Sequence, residues 1–116
     1  SLWKTRCEPV IYLDFHSPGA CENDGVYAYI PQISDSKKQQ LLKSYANKIR
    51  KSLARYSAPN FIRVASYPSR FKTDQHMSFG KFYSQEDSIA LSFEIPYNRI
   101  GEKIMQIDDY LEIGVR

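Results

Sequence analysis

Three polar side chains stand out because they occur within or directly after apolar, strand-forming stretches. Asp14 and His16 lie at the end of the apolar stretch 10–15, and Glu94 lies inside the apolar stretch 89–95. A neutral imidazole is the commonest ligand of transition metals, and a nearby carboxylate can act as general base toward metal-bound water. These residue types raise the hypothesis of a metal-assisted site in which His16 binds the ion and Glu94 moves protons.

Each of the three residues also has an ordinary structural interpretation. A carboxylate in an apolar strand is costly unless a cation, a metal or several donors meet it, so Glu94 could pair with Arg63 or Arg99. His16 could be a histidine that is hydrogen bonded at the start of a loop. Asp14 shares a strand face with His16, so it could orient the imidazole as a hydrogen-bond acceptor or be a solvated edge residue.

The spacing of apolar residues and turn formers predicts the elements that must position these side chains. The predicted strands are 10–15, 26–30, 61–65 and 89–95. The predicted helices are 34–56, with Ser34 as N-cap and a break at 58–60, then 77–86 and a last helix from Ile100 to Gly114. Residues 67–75 are predicted to form an exposed loop.

This order of elements predicts one α/β domain over residues 1–116, with a mostly parallel or mixed sheet flanked by helices. Ligands of such sheets bind beyond the carboxyl ends of the strands, because the connecting loops there vary without disturbing the core. His16 immediately follows the first predicted strand, and Glu94 lies near the end of the fourth. The predicted site is therefore at that edge of the sheet.

Composition excludes several classes of protein. The longest apolar runs, such as 10–13, are far shorter than the roughly 18 residues of a membrane span. A net charge of +3 is too small to indicate nucleic-acid binding. The basic side chains of the long helix are expected to form a solvated outer face, so no nucleic-acid partner is predicted; they are Lys37, Lys38, Lys43, Lys48, Arg50, Lys51 and Arg55.

The two cysteines and the start of the chain bear on its compartment. Cys7 and Cys21 could form one disulfide, remain buried thiols or bind a metal. The chain begins Ser-Leu-Trp without a leader, which favours a processed or excised piece of a longer protein. The compartment stays open, with a periplasmic or secreted location slightly favoured.

Two short segments resemble motifs of the zinc metallocarboxypeptidase (carboxypeptidase A-like) family. Residues 12–17, Tyr-Leu-Asp-Phe-His-Ser, are similar to a strand and turn of that family whose His is the last of three protein zinc ligands. Residues 80–83 followed by 89–94 are similar to the helix and strand that lead into the catalytic Glu. His16 and Glu94 are 78 positions apart, which is close to the interval in the family.

The resemblance implies a fold, an activity and a set of roles. The chain would be the carboxyl-terminal part of a larger hydrolase-like three-layer α/β domain that cleaves peptide or peptide-like amide bonds. Zinc would be its cofactor and a peptide its substrate. His16 would be a zinc ligand, Glu94 the general base and acid, and Ser17 part of the lining of the substrate cleft, with Asp14 orienting the imidazole.

The sequence also departs from the family. The His-x-x-Glu motif that provides the other two zinc ligands does not occur in the 116 residues, and the upstream arginines that bind the substrate carboxylate have no counterpart before Val10. The family's mobile tyrosine would fall near 70–73, where none occurs; Tyr67 is nearest. His76 is predicted to be a surface residue.

These departures lead to expectations for the isolated chain. We expect it to be inactive, and to form a homodimer or to pair with the missing amino-terminal half through an exposed strand edge. The alternative function is a non-catalytic α/β module that binds peptides or proteins in the same cleft without zinc.

Overall fold

A computed structural model of the chain describes residues 11–17, 22–65 and 88–115. The elements are β1 (Ile11–His16), β2 (Val26–Pro31), α1 (Ser36–Leu53), β3 (Ser57–Ala65), β4 (Ile89–Glu94), β5 (Arg99–Ile100), β6 (Lys103–Ile104) and α2 (Ile107–Val115), with a 3-10 turn at Ala54–Tyr56. The predicted loop 67–75 and helix 77–86 lie outside the described residues, and so do Cys7, Cys21, Tyr67 and His76.

The four longer strands form one mixed sheet in the order β1-β4-β2-β3. β1 runs parallel to β4, and β2 runs parallel to β3, whereas β2 and β4 are antiparallel. Helix α1 connects β2 to its parallel neighbour β3, as a parallel pair requires. The predicted α/β class with a mixed sheet and flanking helices is confirmed.

Helix α1 packs its apolar stripe against one face of the sheet. Asp35 caps the helix by accepting hydrogen bonds from the backbone N–H groups of Lys37 (3.0 Å) and Lys38 (3.1 Å), so the N-cap is one residue later than predicted. Leu42 and Ala46 are fully buried in the core, which also contains Leu91 and Phe93 of β4. No helix in the described parts of the chain is long and apolar enough to cross a membrane.

Strand β3 begins at Ser57, four residues earlier than the predicted strand. Residues 58–60 end the helical segment as predicted, but they continue in extended conformation beside β2. The register between β2 and β3 shifts between Val26 and Ala28, which accommodates the extra residues of β3.

The predicted last helix is present, but its predicted start at Ile100 was wrong. Ile100 and Ile104 belong to a β-hairpin formed by β5 and β6, and Gly101 at its turn has a φ of 56°. Helix α2 starts only at Ile107, and the apolar stripe that suggested it points outward, since Ile107 and Leu111 are largely exposed. A spacing of three or four residues over so short a segment does not distinguish a hairpin followed by a helix from one longer helix.

The two faces of β1 and β4 differ in polarity. Phe15 stacks on Phe93 with ring centroids 5.7 Å apart, on the face that α1 covers. Asp14, His16 and Glu94 alternate with these apolar residues and therefore lie on the opposite face. The fold thus collects the polar residues of interest on one side of the sheet.

Candidate active site at the ends of β1 and β4

His16 and Glu94 are register partners at the carboxyl ends of two adjacent parallel strands. Partners in a parallel pair direct their side chains to the same face, so the imidazole and the carboxylate lie side by side. The Ile95 N–H donates to the His16 carbonyl at 2.8 Å, which continues the ladder past the end of β4. The structure therefore brings together the two residues singled out in the sequence.

Asp14 holds the imidazole of His16 from within the same strand. Its Oδ1 lies 2.7 Å from His16 Nδ1, and its Oδ2 accepts a hydrogen bond from the Ser92 hydroxyl at 3.1 Å. The Asp14 side chain is 19% exposed and that of His16 is 64% exposed. The Asp14 carboxylate is thus bound to Nδ1 of His16, and the Nε2 edge of the ring faces solvent.

Ser92 is a site residue that the sequence analysis missed. It is the register partner of Asp14 and lies two residues before Glu94, on the same face of β4. That position was the available signal, because a hydroxyl two residues from a strand carboxylate shares its face. Ser92 links β4 to the Asp14–His16 pair of β1.

Glu94 is half-buried, and its Oε2 is a buried atom without a hydrogen-bond partner. Burial raises the pKa of Glu94 because it disfavours the charged form; the positive charge of a protonated His16 opposes this, and the negative charges of Asp14 and Glu22 add to it. Arg63 lowers the pKa of Glu94 slightly. The environment therefore favours the protonated form of Glu94 more than an exposed position would.

The two arginines that could have paired with Glu94 are engaged elsewhere. Arg63 Nη1 lies 3.1 Å from Glu22 Oε2, and Arg63 Nη2 lies 3.0 Å from Asp24 Oδ2. Arg99 donates from Nε to the side-chain oxygen of Asn23 at 3.0 Å. Neither guanidinium forms an ion pair with Glu94.

Tyr27 flanks Glu94 on the side opposite to His16. It is the register partner of Glu94 in the antiparallel pair of β2 and β4, and it is buried. Its hydroxyl donates to Glu22 Oε2 at 2.6 Å, and Arg63 stacks 3.4 Å above its ring. Burial and the bond to Glu22 raise the pKa of Tyr27, so its hydroxyl stays protonated. The sequence analysis did not identify Tyr27 or Glu22, since loop 22–25 meets β3 only in the folded chain.

The described residues offer one good metal ligand. Within ranges 11–17, 22–65 and 88–115, no three His, Cys, Asp or Glu side chains lie close enough together to hold an ion. The Asp14 contact is typical of metal-binding histidines, whose other ring nitrogen meets a carboxylate. The orphaned Glu94 Oε2 is compatible with a general base beside the ion. His16 fits the role of one ligand, whereas a catalytic zinc takes three protein ligands.

Ser17, the predicted cleft residue, is exposed and directly follows β1.

Comparison of the chain with protein-family profiles, curated proteins and solved structures finds no match. The resemblance to metallocarboxypeptidases therefore stays a prediction based on the motifs around His16 and Glu94.

Proposed function

We propose that this chain carries part of a zinc-dependent carboxypeptidase-like site that hydrolyses peptide or peptide-like amide bonds. One observation carries the proposal, namely the side-by-side placement of His16 and Glu94 at the carboxyl ends of adjacent parallel strands. A metal ligand and a general base must share a face and lie within reach of one water molecule, and this pairing meets that requirement.

Glu94 is the proton carrier in this proposal. Its carboxylate takes a proton from the attacking water and returns it to the leaving amine. The raised pKa of Glu94 makes the second transfer easier than it would be from an exposed carboxyl group. Zinc, when bound, supplies an acidified water and polarises the amide carbonyl.

His16 contributes one ligand, and Asp14 and Ser92 orient it. The Asp14 carboxylate accepts from Nδ1, so Nε2 is the nitrogen that faces an ion. The Ser92 hydroxyl holds Asp14 in place from β4. Ser17 lines the cleft beyond the strand end. The His-x-x-Glu motif that would provide the two remaining ligands does not occur in the 116 residues, so the chain alone is expected to be inactive.

The experiment that tests the proposal is a Zn²⁺ titration of the ¹⁵N-histidine-labelled chain followed by imidazole nitrogen shifts. We expect zinc to move the Nε2 signal of His16 and to leave its Nδ1 protonated, because Asp14 occupies that side. His16→Asn removes the response, and the matched control His76→Asn preserves it. Because one imidazole alone binds Zn²⁺ weakly, the titration is carried to a large excess of zinc. If both His16 nitrogens stay unmoved there, or if His76→Asn alone abolishes the response, the proposal fails.

The second candidate function is a non-catalytic peptide- or protein-binding module. It is favoured by the lack of a three-membered ligand group within the described part of the chain. Calorimetric titration with N-acylated dipeptides separates the two. Binding that is equal with and without zinc, and equal in Glu94→Gln, supports the module and contradicts the hydrolase. Binding that strengthens with zinc only while His16 is present supports the hydrolase.

A further inference from the structure

Strand β1 is an edge strand of the sheet, and it exposes apolar side chains. It pairs with β4 alone among the described strands. Ile11, Leu13 and Phe15 on the α1 side of the sheet are 43%, 45% and 63% exposed. An apolar edge strand is a ready template for pairing with another chain. This exposure makes β1 a candidate interaction surface that is independent of the proposed hydrolase function.

The backbone of β1 is oriented for pairing at its outer edge. The His16 carbonyl accepts from Ile95 and so points toward β4. Successive residues of a strand direct their N–H and C=O groups to alternate sides, so Leu13 directs both of its groups to the outer edge. Ile11 and Phe15 share that orientation. The three exposed apolar residues are thus also those whose backbone groups face outward.

The pattern of β1 is symmetric about Leu13. The sequence Ile-Tyr-Leu-Asp-Phe alternates apolar and polar residues, and the alternation is the same from either end. We infer that two copies of the chain pair antiparallel through β1, with Leu13 at the two-fold axis, so that their sheets join into one continuous sheet. In this register Ile11 of one copy lies opposite Phe15 of the other, so one apolar stripe runs across both.

No like charges oppose the approach of a second copy to β1. The only acidic side chain of β1 is Asp14, and His16 already meets it on the opposite face. The apolar face that the dimer would join is therefore free of like charges. The pairing also gives each copy backbone hydrogen bonds that fix its direction and register.

The other exposed surfaces are less suited to self-association. The outer edge strand β3 contains Pro59 and Arg63, which protect an edge because proline lacks an N–H and arginine is charged. Helix α2 exposes Leu111 with Ile107, but it contains Asp108, Asp109 and Glu112 and no basic residue. Two α2 helices side by side would bring these like charges together.

The expected affinity follows from the exposed area. Side chains of this size and exposure present on the order of 300 Å² per copy, well below the roughly 800 Å² per partner of a stable interface. The backbone hydrogen bonds add to this area. We therefore expect a weak, reversible dimer.

Sedimentation equilibrium of the complete chain from about 2 to 200 µM tests the inference. We expect a reversible monomer–dimer equilibrium that Leu13→Lys weakens at least tenfold, because it places two charges together at the axis. The matched control Leu111→Lys changes the apolar stripe of α2 and leaves the equilibrium unchanged. Thermal melting checks that Leu13→Lys is folded. A monomer at every concentration, or dissociation by Leu111→Lys but not by Leu13→Lys, overturns the inference.

Disulfide trapping tests the register in a Cys7→Ser, Cys21→Ser background, after sedimentation has checked that this background behaves like the parent chain. Opposed Cα atoms in an antiparallel pair lie about 5.5 Å apart, within disulfide reach. Leu13→Cys should oxidise to a covalent dimer, whereas the control Leu111→Cys should stay monomeric. Covalent dimers from Leu111→Cys and none from Leu13→Cys would contradict the proposed axis.

Discussion

Replacing Gly25 by alanine should destabilise the protein strongly, because β2 and β3 approach each other at this glycine. Its φ is 128°, in a region that L-residues with a side chain rarely adopt. A Cβ atom there would lie 2.6 Å from the backbone nitrogen of Ala58 and 2.8 Å from the Tyr56 carbonyl oxygen. These backbone atoms cannot move without displacing β3, whose Ser57 pairs with Val26.

The magnitude follows from two separate costs. The unfavourable φ costs about 1–3 kcal/mol, and the steric overlap with backbone costs about 1–3 kcal/mol more. We expect Gly25→Ala to lower the free energy of unfolding by roughly 2–6 kcal/mol, a large share of the about 5–15 kcal/mol of a typical domain. The displaced loop would also move Glu22 away from Tyr27, which its carboxylate now holds.

The assay is urea unfolding at neutral pH, with Gly101→Ala as the matched control. Gly101 also has a positive φ of 56°, but no atom lies within 4 Å of the position that an alanine Cβ would take, so only the backbone cost of about 1 kcal/mol applies. A Gly25→Ala variant that loses no more stability than Gly101→Ala would show that the close approach of β2 and β3 is not as described.

Two further predictions concern carboxylates with shifted pKa values. The raised pKa of Glu94 means that its charged form costs stability as pH rises through that pKa, so Glu94→Gln should stabilise the chain by about 1 kcal/mol near pH 7 and not near pH 4. An equal effect at both pH values in chemical unfolding would argue against it. Asp109 is buried beside Lys103 and accepts from the Gln106 N–H at 2.9 Å, and its pKa is lowered to about 2. Its stabilisation is present above its ordinary pKa of 3.8 and lost as pH falls toward 2. The stability difference between the parent chain and Asp109→Asn should therefore shrink over that window, and a constant difference would refute the assignment.

Much of the fold could be predicted because its signals are local. Helix α1 carries Leu42, Ala46 and Leu53 at helical intervals, so the buried stripe can be identified without knowing its partner. Strands β2 and β4 are short apolar runs bounded by turn residues. The proximity of His16 and Glu94 was also predictable, since both end strands of a sheet whose parallel neighbours finish at the same edge.

The partners of the site residues could not be predicted in the same way. Arg63 was a candidate partner of Glu94 on the basis of charge, yet loop 22–25 brings Glu22 and Asp24 to it first. The hydrogen bond between Ser92 and Asp14 depends on the register of β1 and β4. The two residues are 78 positions apart in the chain. Opposite charges within a chain have many possible pairings, and only the packed backbone selects among them.

The amino-acid sequence by itself determined which segments form the four longer strands and the long helix, and that an imidazole and a carboxylate end two of the strands. These properties follow from side-chain size, polarity and spacing over neighbouring residues. The tertiary structure alone decided the antiparallel pairing of β2 with β4, the hairpin in place of a helical turn, and the hydrogen bonds that surround His16 and Glu94. These features depend on contacts between residues that are far apart in the chain. Many arrangements of such contacts have similar free energies, and the packing of the core selects one of them.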